Sequence, residues 1–165
     1  MKLKAKFMAP LINIDKFRNA LHQKLSEALT QACVTWLNTV IKESTAVGLP
    51  IWSGASISTF TPLASQVGFE LASGPIEGVK KRVADGVGLF EPGTKQAGLY
   101  TFTYATDLKH LTINEYRDVS QWIHLKTPGP YHFQEKGKNA FLEFAKTIEL
   151  PGWGEFTDVT VIGVG

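Results

Sequence analysis

The sequence predicts an α+β domain in which a small antiparallel β-sheet packs against one long N-terminal helix and a shorter C-terminal helix, with a long glycine-rich arm. Three observations predict it. Residues 15–45 contain no glycine or proline, aromatic residues alternate with small ones in residues 99–105, and residues 131–147 have helical spacing after a proline. The 165 residues fit a single domain, 1–165, because that length buries roughly 70% of the unfolded surface.

The opening segment alternates Lys2, Lys4 and Lys6 with apolar residues and ends at Pro10, which predicts a short strand with one basic face. We expect this strand at a sheet edge. Two roles for the lysines stay open. They can protect the exposed edge against aggregation, or they can face nucleic acid or an acidic partner.

The long helix is predicted from Asp15 to about Thr45, with Asp15 as its N-cap and Gly48 and Pro50 after its end. About thirty residues make a rod of roughly 45 Å. That length exceeds what so small a domain covers by itself, so we expect part of the rod to lie against another molecule, or to overhang an ordinary core. The apolar face repeats at three- and four-residue steps: Phe17, Leu21, Leu25, Ala28, Ala32, Trp36 and Val40.

The middle of the chain predicts short elements. Ser53 is the expected N-cap of a short helix that starts near Gly54, and Trp52 is an expected partly buried anchor. Pro62 opens a second helical turn, where its missing N–H costs nothing. Residues 69–72 predict a strand.

Residues 73–98 are rich in glycine and have little periodicity. Twenty or so residues of this kind are uncommon in a compact domain unless they are mobile or functional. We interpret them as a long hairpin, or an extended loop or arm, within the domain that orders against a neighbouring subunit. A simple surface loop is the alternative.

An aromatic strand follows, because the period of two in residues 99–105 places Tyr100, Phe102 and Tyr104 on one face. A second extended run is predicted over residues 110–116. The helix over residues 131–147 packs on the sheet, and the alternating tail that starts near Thr157 predicts a final strand.

Composition narrows the function class. Seventeen basic and fifteen acidic side chains give a net charge of +2, which is far from the balance of a dedicated nucleic-acid binder. The single cysteine, Cys33, cannot form an intrachain disulfide and is expected to be a small buried residue. Without a signal-peptide pattern or a long apolar run, we expect a soluble protein made in a cytoplasm.

The sequence gives only weak signals of catalytic or metal-binding chemistry. The four histidines lack metal-ligand spacing, and no phosphate-binding glycine motif occurs, so we expect no catalytic, cofactor or metal site. Two alternatives remain. Asp107, Glu115 and Asp118 near the aromatic strand could serve a small hydrolase. The aromatic face could stack single-stranded nucleic acid, although only three arginines accompany it.

Residues 50–56, PIWSGAS, are similar to the P-V-D-T-G-x-L-x-x-S signature of the neck or tail-completion (head-tail connector) family of tailed bacteriophages. Residues 110–116, HLTINEY, look like that family's segment after the central strand, and residues 130–141 look like its proline-led final helix. The resemblance implies an assembly motif at these positions: Pro50, Trp52, Ser53, Gly54, Ser56, His110, Asn114, Glu115 and Tyr116.

The resemblance implies a non-enzymatic virion protein that forms a homo-oligomeric ring, a hexamer or a dodecamer. Such a ring joins portal or head-completion proteins to tail-terminator or tail proteins, after synthesis in the host cytoplasm. DNA would be non-specific cargo in the lumen, which the opening lysines could face, and neither a membrane nor a cofactor is implied. Another minor virion or adaptor protein is the alternative within the structural class.

Overall fold

The computed structural model describes residues 11–42, 49, 51, 53–72, 74–93, 98–109, 111 and 132–158. It has a long N-terminal helix, two-stranded antiparallel pairing and a C-terminal helix, which confirms the α+β class. The elements in chain order are β1 (Leu11–Ile12), α1 (Ile14–Lys42), α2 (Ala55–Ser58), α3 (Thr61–Val67), β2 (Val87–Glu91), β3 (Thr101–Ala105), α4 (Phe133–Ala145), a 3-10 helix (Trp153–Phe156) and β4 (Thr157–Asp158).

Helix α1 confirms the predicted long helix, but its N-cap differs from the prediction. The backbone N–H of Lys16 donates to Oδ1 of Asn13 at 3.0 Å, so Asn13 caps the helix. Asp15 lies inside the first turn instead. Its carboxylate there is favoured by the helix dipole. Both residues are good caps, and the local sequence alone did not separate them.

Helix α4 confirms the predicted C-terminal helix and packs antiparallel along α1. Near its start, Gly137 lies against Trp36 and Val40 of α1. Near its end, Phe144 lines a groove together with Ala28, about two turns closer to the start of α1. The first residue of α4, Phe133, is almost completely buried in the core.

The hydrophobic core lies beside the C-terminal half of α1. Cys33 and Leu37 are fully buried there, together with Leu63 of α3 and Phe60, the N-cap residue of α3. The prediction that Cys33 is a buried apolar residue is therefore confirmed. Burial also raises the pKa of its thiol to about 12, which leaves it in the unreactive thiol form at neutral pH.

The strands form two separate antiparallel pairs in the described part of the chain. Strand β2 pairs with the predicted aromatic strand, β3, with Leu89 opposite Thr103. Strand β4, at the predicted C-terminal strand, pairs with β1 over two residues. No pairing involves residues 69–72, so that strand prediction is wrong. Gly68 ends α3 in the left-handed conformation, and Phe69 and Leu71 pack on the core from an irregular segment.

The N-terminal half of α1 is partly covered by its own chain. Phe17 stacks on Trp153 with ring centroids 3.8 Å apart and meets Phe156 edge-on. On another side, His22 Nδ1 lies 2.8 Å from the Tyr100 hydroxyl. Much of the remaining surface of this half is exposed, including Ile14, and the expectation that part of the helix lies against another molecule stays a prediction.

Candidate functional site

The assembly motif predicted from the family resemblance falls partly on described residues. Ser53, Gly54 and Ser56 form the entry to α2. The other members, Pro50, Trp52, His110, Asn114, Glu115 and Tyr116, lie outside the described residues, as do Lys2, Lys4 and Lys6. Leu111, the described residue of the predicted extended run, is helical instead, and its N–H donates to the Leu108 carbonyl at 3.0 Å.

The N-cap of α2 is Gly54 and not Ser53. Gly54 has φ of 88°, in the left-handed region that favours glycine, and no side chain caps the helix. A Cβ on Gly54 would also approach the Arg82 carbonyl at 3.5 Å. The glycine of the motif therefore combines a sharp turn with a close approach to a segment nearly thirty residues later.

Backbone and hydroxyl bonds join this turn to the glycine-rich segment. The Ser53 carbonyl accepts a hydrogen bond from the Arg82 N–H at 2.8 Å. Ser58 Oγ accepts from the Ala84 N–H at 2.9 Å, and its own hydrogen can go to the carbonyl of Ala55 or Ala84. These bonds satisfy polar groups that the irregular segment would otherwise leave without partners.

Ser56 takes part in a second, buried chain of hydrogen bonds. The Ser56 carbonyl accepts a hydrogen bond from Thr59 Oγ1 at 2.7 Å. Because this bond uses the only hydrogen of the Thr59 hydroxyl, the Tyr104 hydroxyl, 2.7 Å from Thr59 Oγ1, is the donor in the bond between Tyr104 and Thr59. Burial raises the pKa of Tyr104 to about 12. The chain of bonds links the motif to the aromatic strand.

Two glycines let the rest of the segment press against α2 and α3. A Cβ on Gly86 would collide with the Thr59 carbonyl group, and one on Gly88 would lie 2.6 Å from Leu63 Cα. The Gln66 side chain then closes the outer edge of β2, bonding the Gly88 carbonyl at 2.8 Å and the Phe90 N–H at 3.2 Å.

The glycine-rich segment is thus held by its own chain from Gly74 to strand β2. The expectation that this segment orders against a neighbouring subunit stays a prediction. The predicted loop character holds for residues 74–86, whereas Val87–Glu91 forms a strand. The signal that was missed is the pair Gly86 and Gly88 at a spacing of two, which gives one face of a strand without side chains.

The outward side of the same region carries exposed apolar side chains. Val87 and Leu89 project from the outer face of β2 and are 53% and 51% exposed. Val83, before the strand, is 71% exposed, and Leu99, before β3, is 63% exposed. We call these four residues the hairpin face. Val87 and Leu89 share one face of β2, and adjacent exposed apolar residues of this kind are typical of interaction surfaces.

The aromatic rings of β3 belong to the core, as the packing interpretation predicted. The Tyr104 ring stacks on Phe60 with centroids 4.4 Å apart, and Phe102 contacts Trp36 and Phe141. Tyr100 lies beyond them beside His22. Because these rings already pack against other side chains, they do not offer the open faces that base stacking requires.

A shallow groove of about 380 Å³ runs between the N-terminal half of α1 and residues 149–156. Three carboxylates line it, from Glu27, Glu149 and Glu155, together with Lys24. Its apolar lining includes Leu150, which is 55% exposed. We call it the acidic groove. Of the three carboxylates, none forms an ion pair with a described residue.

Groups that would mark reaction chemistry are sparse in the described part of the chain. No three histidine, cysteine, aspartate or glutamate side chains there are placed to hold a metal ion. Asp107, the described member of the predicted hydrolase cluster, is exposed just after β3. Among the described helices, none is long and apolar enough to cross a membrane.

Comparisons with protein-family models, with curated proteins and with solved structures found no match to this chain.

Proposed function

We propose that this protein is a non-enzymatic structural subunit of a tailed bacteriophage, a neck or tail-completion component that forms a ring between head and tail. The observation that carries the proposal is the hairpin face, Val83, Val87, Leu89 and Leu99, each more than half exposed. Burying apolar surface drives most protein association, at roughly 25 cal/mol per Å². A ring gives such a face a partner in every copy.

The use of the motif's polar groups supports a structural role. The carbonyls of Ser53 and Ser56 accept hydrogen bonds from the Arg82 N–H and from Thr59 Oγ1. The neighbouring hydroxyls of Ser58 and Thr59 are likewise bonded inside the fold, to backbone groups and to Tyr104. A catalytic serine or threonine would instead need an adjacent base and a space for substrate. The motif that resembles the phage family therefore serves here to seat the segment that carries the hairpin face.

The pair of packed helices gives the subunit an elongated element that suits a spacer between two virion parts. Helix α1 has 29 residues, and α4, with 13 residues, packs along less than half of that length. At 1.5 Å per residue, α1 is a strut of roughly 44 Å. A ring built from such struts joins partners on its two faces, for which portal or head-completion proteins and tail proteins are our proposed candidates.

The charge balance suits a conduit for DNA. A net charge of +2 over 165 residues gives little attraction for a passing polyanion. DNA is then non-specific cargo in the lumen. Another minor virion or adaptor role would use the hairpin face equally well, and the copy number of the assembly distinguishes it from a neck ring.

The test measures the mass of the purified protein across a concentration series, by analytical ultracentrifugation and by native mass spectrometry. A closed hexamer or dodecamer is the expected result. Leu89→Lys should weaken the ring by placing a charge on the hairpin face, whereas Leu142→Lys, a matched change on exposed α4, should leave it intact. A chain that stays monomeric at all concentrations, alone and with phage portal proteins, would refute the proposal.

A further inference from the structure

The surface before β2 carries a compact run of positive charge. Lys80, Lys81 and Arg82 are consecutive and exposed, and none forms an ion pair with a described residue. Two exposed apolar side chains, Ile76 and Val83, flank the run. We call residues 76–83, which carry three basic side chains and the exposed carboxylate of Glu77, the basic segment. Its backbone is anchored at Arg82 by the bond to Ser53, so its position on the surface is set.

The acidic groove has the complementary composition. It offers three carboxylates against one lysine, and exposed Leu150 and half-buried Pro151 and Phe156 provide apolar surface. Glu155 holds the Gly152 N–H at 2.9 Å, which keeps residues 152–155 in their turn. The basic segment, with its flanking apolar side chains, therefore has the composition that complements the acidic groove and its apolar floor. Such matched charges are typical of complementary interfaces.

Within one molecule the two surfaces lie at different levels of α1. The basic segment is bonded at Arg82 to Ser53, just before α2, whose Ile57 belongs to the same core as Leu37 of α1. The groove lies at Glu27 and earlier residues of α1. Ten residues of helix separate Glu27 from Leu37, which is roughly 15 Å along the axis. A second copy of the chain offers each surface a partner of opposite charge.

We infer that the basic segment of one copy docks in the acidic groove of the next copy. The inference rests on the proposed ring and identifies its subunit contact. Such a contact joins different surfaces head to tail, and head-to-tail contacts close into rings when the rotation per subunit allows it. The hairpin face is continuous with the segment at Val83, so it enters the same interface.

Charge reversal tests the contact. Lys80→Glu with Lys81→Glu makes both surfaces acidic, and Glu27→Lys with Glu149→Lys makes both basic. Each double variant alone should raise the apparent dissociation constant more than about tenfold, because like charges then face each other. Mixing the two variants should restore assembly. In a ring of alternating variants, each acidic segment faces a basic groove and each basic segment faces an acidic groove. Arg18→Glu with Lys138→Glu is the control, because both side chains are exposed and lie outside the two surfaces.

A covalent test complements the mixing experiment. Val83→Cys with Leu150→Cys should yield a ladder of disulfide-linked oligomers on a non-reducing gel, and either single change should not. Cys33 does not interfere because it is fully buried. Circular dichroism checks that every variant remains folded.

The outcomes separate this inference from the proposed function. If the wild type forms rings and both charge-reversal variants form them equally well, the inference is overturned and the proposed ring stands. Assembly lost in each variant but not restored in the mixture would also overturn it, and would indicate that the charges meet another partner. A wild-type protein that never assembles would overturn the proposed function itself.

Discussion

Gly88→Ala is the sharpest test of how the hairpin is seated on α3. In the structure a Cβ at position 88 would lie 2.6 Å from both Cα and Cβ of Leu63, whereas carbon atoms prefer separations of about 3.5–4.0 Å. Strand β2 would therefore have to move outward by about 1 Å, because the atoms it meets belong to the main chain of a helix. That movement would also stretch the two bonds that Gln66 makes to β2.

The cost follows from these contacts. Overpacking against a rigid neighbour destabilises by about 1–3 kcal/mol, and each weakened hydrogen bond adds about 1 kcal/mol. Alanine is intrinsically favoured over glycine in a strand, which offsets about 0.5–1 kcal/mol of this loss. We expect a net loss of about 3 kcal/mol, which lowers Tm by roughly 6–12 °C at this chain length.

Urea unfolding followed by circular dichroism measures this loss. Gly154→Ala is the control, since a Cβ there meets nothing within 4 Å, and its stability should change by less than about 0.5 kcal/mol. If Gly88→Ala is as stable as Gly154→Ala, β2 does not press against α3, and the account of the glycine-rich segment is wrong.

Three further predictions concern the same framework. Gln66→Ala should lose about 1–2 kcal/mol of stability and speed amide hydrogen exchange on the outer edge of β2; unchanged exchange would contradict the bonding seen there. Tyr104→Phe should lose about 1 kcal/mol at neutral pH because its bond to Thr59 disappears. Since the folded pKa of this phenol is about 12 against 10.0 for the free group, its stabilisation is complete below pH 10 and falls as pH rises towards 12. The variant should therefore show a smaller drop in urea midpoint from pH 9 to 11, and an equal drop would refute the assignment. Gly137→Ala should destabilise by about 1 kcal/mol, as the clash of its Cβ with Trp36, 2.8 Å away, exceeds the gain in helix propensity; a rise in Tm would disprove that contact.

The helices show what local pattern can and cannot resolve. The spacing of apolar residues predicted α1 and α4 to within a few residues, because helical periodicity depends only on neighbours along the chain. The N-cap residues of the helices were harder to predict from the sequence. Asn13 and Asp15 are both suitable N-caps, and Ser53 was preferred where Gly54 is the cap. A glycine that adopts φ of 88° leaves no side-chain signal for such a choice.

The candidate site shows the same division. Residues 50–56 were singled out by a family resemblance, and the described members lie where the chain turns into α2. The hairpin face and the acidic groove were not predicted. Both combine residues far apart in sequence, such as Glu27 with Glu149 and Val83 with Leu99, and no local pattern connects them.

By itself the sequence determined the fold class, the two helices, the aromatic strand and the burial of Cys33, because each depends on local spacing or on the properties of one residue. Tertiary structure alone decided where the glycine-rich segment goes. Gly86 and Gly88 are small in any conformation, but only the folded chain brings the main chain of Thr59 and Leu63 against them. That contact is non-local, and it gives the strand within the glycine-rich segment one covered face and one exposed face.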